Sequence, residues 1–166
     1  RIVRQEAAGS WQSTGGRWWW RNADGSYPRS CWKQIEDAWY LFDDSGYMLT
    51  GWQKVNATWY YLHGSGAMAT GWTKVGGSWY WFNGSGAMQT GWLNLGGTWY
   101  YLNGSGAMIT GWQQVGGTWY YFYGSGAMAQ SCWVGDYYLT SSGAMATNQR
   151  VGGWWVGADG RWVAGA

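Results

Sequence analysis

Runs of large apolar and aromatic residues, such as "TWYYL" (58–62 and 98–102) and "AMITGW" (107–112), alternate along the chain with short polar runs such as "NGSG". Five or six residues rich in aromatic and β-branched side chains predict a strand, and the intervening glycines predict a tight connection. Each "TWYYL", "NGSG", "AMITGW" succession therefore reads as a hairpin. Side chains alternate across a strand, so the first and third residues of "WYYL" share one face and the second and fourth the other. The second and fourth positions stay large throughout: Tyr40 and Phe42, Tyr60 and Leu62, Tyr80 and Phe82, Tyr100 and Leu102, Tyr120 and Phe122, Tyr137 and Leu139, Trp154 and Val156. That face is expected to be core. The other face is aromatic in the middle of the chain and decays toward its ends, with Leu41 at the third position and Asp136 and Gly153 at the first.

The pattern repeats every twenty residues. Trp32, Trp52, Trp72, Trp92 and Trp112 mark one position, Trp39, Trp59, Trp79, Trp99 and Trp119 a second, and Met48, Met68, Met88, Met108 and Met128 a third. Fixed-period self-similarity of this kind signals a stacked array, because one hairpin alone is marginal in water. The fold class expected is all-β: a β-solenoid of about eight stacked ~20-residue hairpins. Regular units fill 32–131, atypical capping units 11–31 and 132–166 flank them, and 1–10 reads as a linker or tail.

Composition narrows the partners. The chain of 166 residues carries 19 Trp, 13 Tyr and 30 Gly, yet only 11% charged residues and a net charge of +2, so no basic footprint marks a nucleic-acid site. Disorder is disfavoured by the 21% aromatic content. No apolar stretch reaches the roughly 18 residues of a membrane helix, so membrane insertion is not expected. The opening "RIVRQEAAGS" lacks a signal-peptide core. A soluble chain, compatible with a part excised from something longer, is the expectation.

The decaying face tolerates Asp, which a packing face would not. Trp39, Trp59, Trp79, Trp99 and Trp119 are therefore expected to line a groove between units, with the Trp after each "TG" and an aromatic from the next unit. The competing reading is that these rings only cover a thin core. Aromatic faces attract cations, and a cage of rings suits a quaternary ammonium such as choline, which has no hydrogen-bond donors. At about 0.5–2 kcal/mol per ring, one cage is weak, and an array gains by avidity on a polymer.

The units "TGWTKVGGSWYWFNGSGAMQ" and "TGWLNLGGTWYYLNGSGAMI" resemble choline-binding repeats of Gram-positive surface proteins and lysins, strongly over 32–131 and weakly at the ends. The resemblance implies a left-handed solenoid anchoring another module, at the cell surface or cell wall, to choline on teichoic acids. It also implies cages of two Trp from one unit, a Tyr from the next, and a Met or Leu. Carried over residue by residue, the cages are Trp32, Trp39 and Tyr61; Trp52, Trp59 and Trp81 with Met68; Trp72, Trp79 and Tyr101 with Met88; Trp92, Trp99 and Tyr121 with Met108; and Trp112, Trp119 and Tyr138. Asp136 in place of a Trp predicts a weak or empty site at Trp133, and Leu41 is expected to spoil the cage of Trp11 and Trp18. Related repeats that lack many of the Trp bind glycans, so a glycan ligand stays as an alternative, as does a structural stalk. A dimer is compatible with each.

Nothing predicts catalysis or a cofactor. His63 occupies the loop position of Asn83 and Asn103, and the carboxylates are scattered through turns, with no pair set to converge. Cys31 and Cys132 lie five units apart, too far for a disulfide if layers are spaced on the order of 10 Å. Free, largely buried thiols are expected. No CxxC pairs suggest zinc.

Overall fold

The computed structural model describes residues 9–166, and all regular structure among them is β. Two-stranded sheets form from β1 (Gly9–Thr14) and β2 (Arg17–Asn22), β3 (Cys31–Ile35) and β4 (Ala38–Phe42), and β5 (Gly51–Val55) and β6 (Thr58–Leu62). The succession continues with β7 (Gly71–Val75) and β8 (Ser78–Phe82), β9 (Gly91–Leu95) and β10 (Thr98–Leu102), β11 (Gly111–Val115) and β12 (Thr118–Phe122), and β13 (Cys132–Val134) and β14 (Tyr137–Leu139). The last sheet has three strands, β15 (Gln149–Val151), β16 (Trp154–Val156) and β17 (Trp162–Val163). Gly9 and Ser10, expected in the tail, open β1; the rest of the expected tail lies outside the described residues.

The hairpins are phased differently from the sequence expectation. The paired strands are "GWLNL" with "TWYYL", not "TWYYL" with "AMITGW". Backbone geometry gives the reason. Gly96 and Gly97 both hold positive φ, 58° and 92°, as do Asn56 and Ala57, which is the two-residue turn whose twist matches a hairpin. The "NGSG" segment is instead a loop leading into the next hairpin. Asn103 organises it, its side-chain Oδ1 accepting from the backbone N–H of Ser105 and Ala107, both at 3.0 Å. "AMIT" follows as irregular chain, bridged to its own hairpin at Leu102 and Met108.

The described residues group into two compact units, residues 9–73 with Trp81–Met88, and Lys74–Tyr80 with Gln89–Ala166. Both are built the same way. In the first, the backbone N–H of Met48, Met68 and Met88 donates to the carbonyls of Trp18, Trp39 and Trp59 at 2.7, 2.8 and 2.9 Å. In the second, the donors Met108, Met128 and Met145 reach Trp79, Trp99 and Trp119, all at 2.8 Å. Each bond ties one hairpin to the segment that follows the next. The core is the fourth position of each "WYYL": Phe42, Leu62, Phe82, Leu102, Phe122, Leu139 and Val156 are at most 1% exposed. The second-position tyrosines, expected beside them, are only half-buried, because their rings reach sideways to a Trp of the preceding hairpin.

The loop glycines divide into two kinds. Gly66, Gly126, Gly143 and Gly160 are buried with φ between 82° and 86°, and a methyl there would strike the Met of the preceding loop. The glycines two residues earlier, such as Gly124, face open space. Cys31 and Cys132 are both free thiols, as expected, but neither is buried. Each stands at the start of a strand, where β5, β7, β9 and β11 place the incompletely covered Gly51, Gly71, Gly91 and Gly111. Cys132 Sγ lies 3.4 Å from the Tyr123 hydroxyl, and this hydrogen bond, with the electrostatic effect of the same neighbour, raises the phenol's pKa. His63 is an exposed loop residue whose carbonyl accepts from the Gly66 N–H at 2.8 Å.

Candidate functional site

Directly opposed residues of an antiparallel hairpin share a face. Trp92 opposes Tyr101 and Asn94 opposes Trp99, so Trp92, Trp99 and Tyr101 project from the same side of one hairpin. Tyr120 and Phe122 project from the facing side of the next. Their rings meet Trp92 at 4.8 and 5.9 Å. Trp92 and Trp99 stand nearly perpendicular, 86° apart with centroids at 6.2 Å, and leave a cavity of about 260 Å³ lined by Trp92, Trp99, Tyr120, Met128 and Ser142. The hydrogen bond from Met128 N–H to the Trp99 carbonyl fixes the methionine at this cavity.

The next cavity repeats the plan. Trp112, Trp119, Tyr137, Met145 and Asp159 enclose about 270 Å³, with Trp112 and Tyr137 at 5.2 Å. In the first unit the same pairing brings Trp32 to Tyr60 at 5.0 Å and Trp11 to Tyr40 at 4.9 Å. Trp52 and Trp59 keep the perpendicular relation, 87° at 6.2 Å. The exposure of Trp39, Trp59, Trp79, Trp99 and Trp119 stays between 39% and 41%. Rings held so uniformly open are a built surface, not a core cover.

The structure brings the expected tryptophan pairs together but draws the third ring from a different position. Tyr61, Tyr101, Tyr121 and Tyr138 pack against Trp52, Trp92, Trp112 and Trp133 of their own hairpins, at 5.2, 5.1, 5.1 and 5.3 Å, and Trp81 against Trp72 at 5.4 Å. These contacts lie within one hairpin. The ring donated by the next unit is one residue earlier: Tyr60, Tyr120 and Tyr137 in place of Tyr61, Tyr121 and Tyr138. The methionine also shifts by one unit. Met128, not Met108, lines the Trp92 cavity; Met88, not Met68, bonds to Trp59; and Met68 bonds to Trp39. The signal that could have found these residues is the Gly-Gly pair, because a two-residue turn forces Trp92 opposite Tyr101. The ring that meets Trp11 comes from position 40, Tyr40, not from the position Leu41 occupies.

The Trp133 position is not a blank either. Trp133, Gly135, Asp136, Trp154 and Trp162 line a cavity of about 290 Å³. Trp162 occupies the methionine position, its N–H donating to the Asp136 carbonyl at 2.8 Å. Near the other end, Trp19, Tyr27 and Tyr47 with Thr14 and Ser45 line a further depression of about 250 Å³. Beside it Arg17 pairs with Asp43 at 2.8 Å and its guanidinium lies over Tyr47 at 3.9 Å. Burial resists ionisation of Asp43. The N–H groups of Tyr47 and Ser45, with Arg17, outweigh it and hold the carboxyl below its usual pKa.

A family model described as a choline-binding repeat matches residues 29–70 and 69–111, a second choline-binding repeat model matches 127–162, and a cell wall binding repeat model matches 110–128. Among solved structures, choline binding protein F from Streptococcus pneumoniae is 44% identical over 92% of this chain and 56% of its own, with a TM-score of 0.86. CbpJ from Streptococcus pneumoniae TIGR4 is 42% identical over 92% and 57%, with a TM-score of 0.85. The multimodular pneumococcal cell wall endolysin from phage Cp-1, solved complexed with choline, is 41% identical over 78% and 40%, with a TM-score of 0.55. The chain thus spans little more than half the length of the first two and less of the third. No curated protein matches it in sequence. With the models running from residue 29 to 162 and the fold shared over nearly the whole chain, the protein belongs to the choline-binding repeat family.

Proposed function

We propose that the chain is a non-catalytic module that captures choline groups of cell-wall teichoic acid in the cavities between successive hairpins, and anchors an attached protein at the cell surface by avidity. In this reading about eight hairpins stack as a left-handed solenoid. The observation that carries the ligand assignment is the lining of the Trp92 cavity: three aromatic rings and a thioether, with no charged side chain and only the Tyr120 and Ser142 hydroxyls as oxygen acceptors. A trimethylammonium group has nothing to donate and needs only ring faces around its charge. Two indoles at 86° cannot both stack on one flat sugar ring, whereas both can turn a face or edge toward a compact cation between them. The endolysin of phage Cp-1 was solved with choline, which agrees with this reading.

Three rings at about 0.5–2 kcal/mol each give at most about 6 kcal/mol before the cost of immobilising the ligand, so a single cage binds in the millimolar range or modestly better. Several cages on one polymer gain roughly 10²- to 10⁴-fold. Calorimetry with choline chloride tests the proposal, together with retention on a quaternary-amine resin and release by free choline. Neither heat nor release at tens of millimolar would sink it, and binding of a glycan by a choline-inert protein would replace it.

A further inference from the structure

Resting on the reading of these cavities as cation cages, we propose that the pocket at Trp133 is a further cage whose preferred ligand is a protonated amine carrying an N–H, rather than a quaternary ammonium. Three features carry this. First, the pocket is intact: its volume of about 290 Å³ matches the 260 and 270 Å³ of the cages at Trp92 and Trp112. Second, its walls are exchanged in a concerted way. Asp136 takes the place of the second Trp, and Trp162 takes the place of the methionine, held by the same backbone bond, 2.8 Å from its N–H to the Asp136 carbonyl. Trp154 takes the tyrosine place and meets Trp162 edge-to-face at 5.5 Å. Three indoles therefore survive the loss of one. Third, the substitute is a carboxylate on the cavity wall. A protonated amine can place its charge among the rings and donate its N–H to Asp136, a charge-assisted hydrogen bond that four alkyl groups forbid. Arg161 Nε lies 3.5 Å from Asp136 Oδ2, but both side chains are more than half exposed and a pair so long and open competes weakly.

The test is fluorine NMR on the full chain labelled with 5-fluorotryptophan, the Trp162 signal assigned by its loss in Trp162→Phe and the Trp99 signal by its loss in Trp99→Phe. The protein is titrated separately with trimethylammonium and tetramethylammonium chloride at neutral pH. The Trp162 signal should respond to trimethylammonium at about five- to tenfold lower concentration than to tetramethylammonium, the size of a partly exposed hydrogen bond to a charged group. Asp136→Asn should erase that preference. A Trp162 signal that responds equally to both salts, or better to tetramethylammonium, overturns the proposal, and so does a preference that survives Asp136→Asn. Because the wild-type titrations decide by themselves, the proposal stands or falls even if a variant folds poorly. The Trp99 signal keeps the two readings apart: its indifference to tetramethylammonium would count against the choline cages, whatever Trp162 does.

Discussion

Replacing Gly143 by alanine should damage both the stack and one cage, whereas the same change at Gly124 should do neither. Gly143 is buried at φ +86°, and a Cβ built on it would lie 2.3 Å from Met128 Sδ and 2.5 Å from its Cε. An ordinary contact begins near 3.4 Å, so the sulfur must retreat by about 1.1 Å. Alanine in the left-handed region costs about 1–2 kcal/mol. Overpacking the methionine adds about 1–3 kcal/mol, for a total of roughly 2–5 kcal/mol. Because Met128 lines the Trp92 cavity, its displacement should also weaken ligand binding there. A methyl added at Gly124 would meet no atom within 4 Å, and the backbone there is not in the left-handed region, so Gly124→Ala should lie within about 0.5 kcal/mol of the parent. The chain itself makes these exchanges: Asp44, Ser141 and Ala158 stand at the open position in other loops, while the buried one keeps glycine. Denaturant unfolding of Gly143→Ala, Met128→Ala and the double variant forms a cycle in which the double loss should be smaller than the two single losses added together. A loss under about 1 kcal/mol for Gly143→Ala, or strict additivity in the cycle, would refute the packing argument.

Tyr120→Ala should weaken choline binding at the Trp92 cavity by about 0.5–2 kcal/mol, a factor of roughly 2–30, while Tyr121→Ala should act on the cavity of its own Trp112; tryptophan-resolved NMR titration separates the two, and equal effects at one site would contradict the register. Phe122→Ala removes a wholly buried ring and should cost about 3–5 kcal/mol in thermal or chemical unfolding. Asp43 titrates below its unfolded value, so its contribution is present above the unfolded carboxylate pKa near 3.9 and is lost as pH falls through the lowered folded value. Asp43→Asn should accordingly lower stability at neutral pH, where that contribution is fully present, and flatten the profile at the acid edge where it is lost.

The period, the all-β class and the paired tryptophans are legible in the sequence because each is a property of spacing alone. Burial at Phe42, Leu62 and Phe82 is legible too, since a two-residue alternation needs no knowledge of pairing. The phase of the hairpin is not, because "NGSG" and "GG" both look like turns, and only the paired positive φ values at residues such as Gly96 and Gly97 distinguish a hairpin turn from a link between hairpins. That single ambiguity propagates. With "NGSG" as the turn, Tyr121 looks like a gift to the preceding unit, whereas it opposes Trp112 in its own. The methionine shifts for the same reason, because its N–H bond spans 29 residues from Met128 back to Trp99, a separation no local pattern announces. Trp133 is hidden for another reason. A position-by-position comparison registers the missing Trp at 136, but not the gain of Trp162, which lines the same cavity from β17.

A cage in this fold is not an addition to a finished scaffold. The bond that seats Met128 beside Trp99 is also the bond that holds a hairpin to its neighbour, and the same methionine that lines the Trp92 cavity packs its sulfur under Gly143. The Trp92 and Trp112 cavities each draw two rings from one hairpin and the third from the next, so neither hairpin can complete a cage alone. In a nearest-neighbour array the interface energy is what makes the repeats fold, so selection on binding and selection on stacking act on the same atoms. The Trp133 cavity follows the same plan: the backbone N–H of residue 162 donates to the Asp136 carbonyl, and the Trp162 ring lines the cavity beside it.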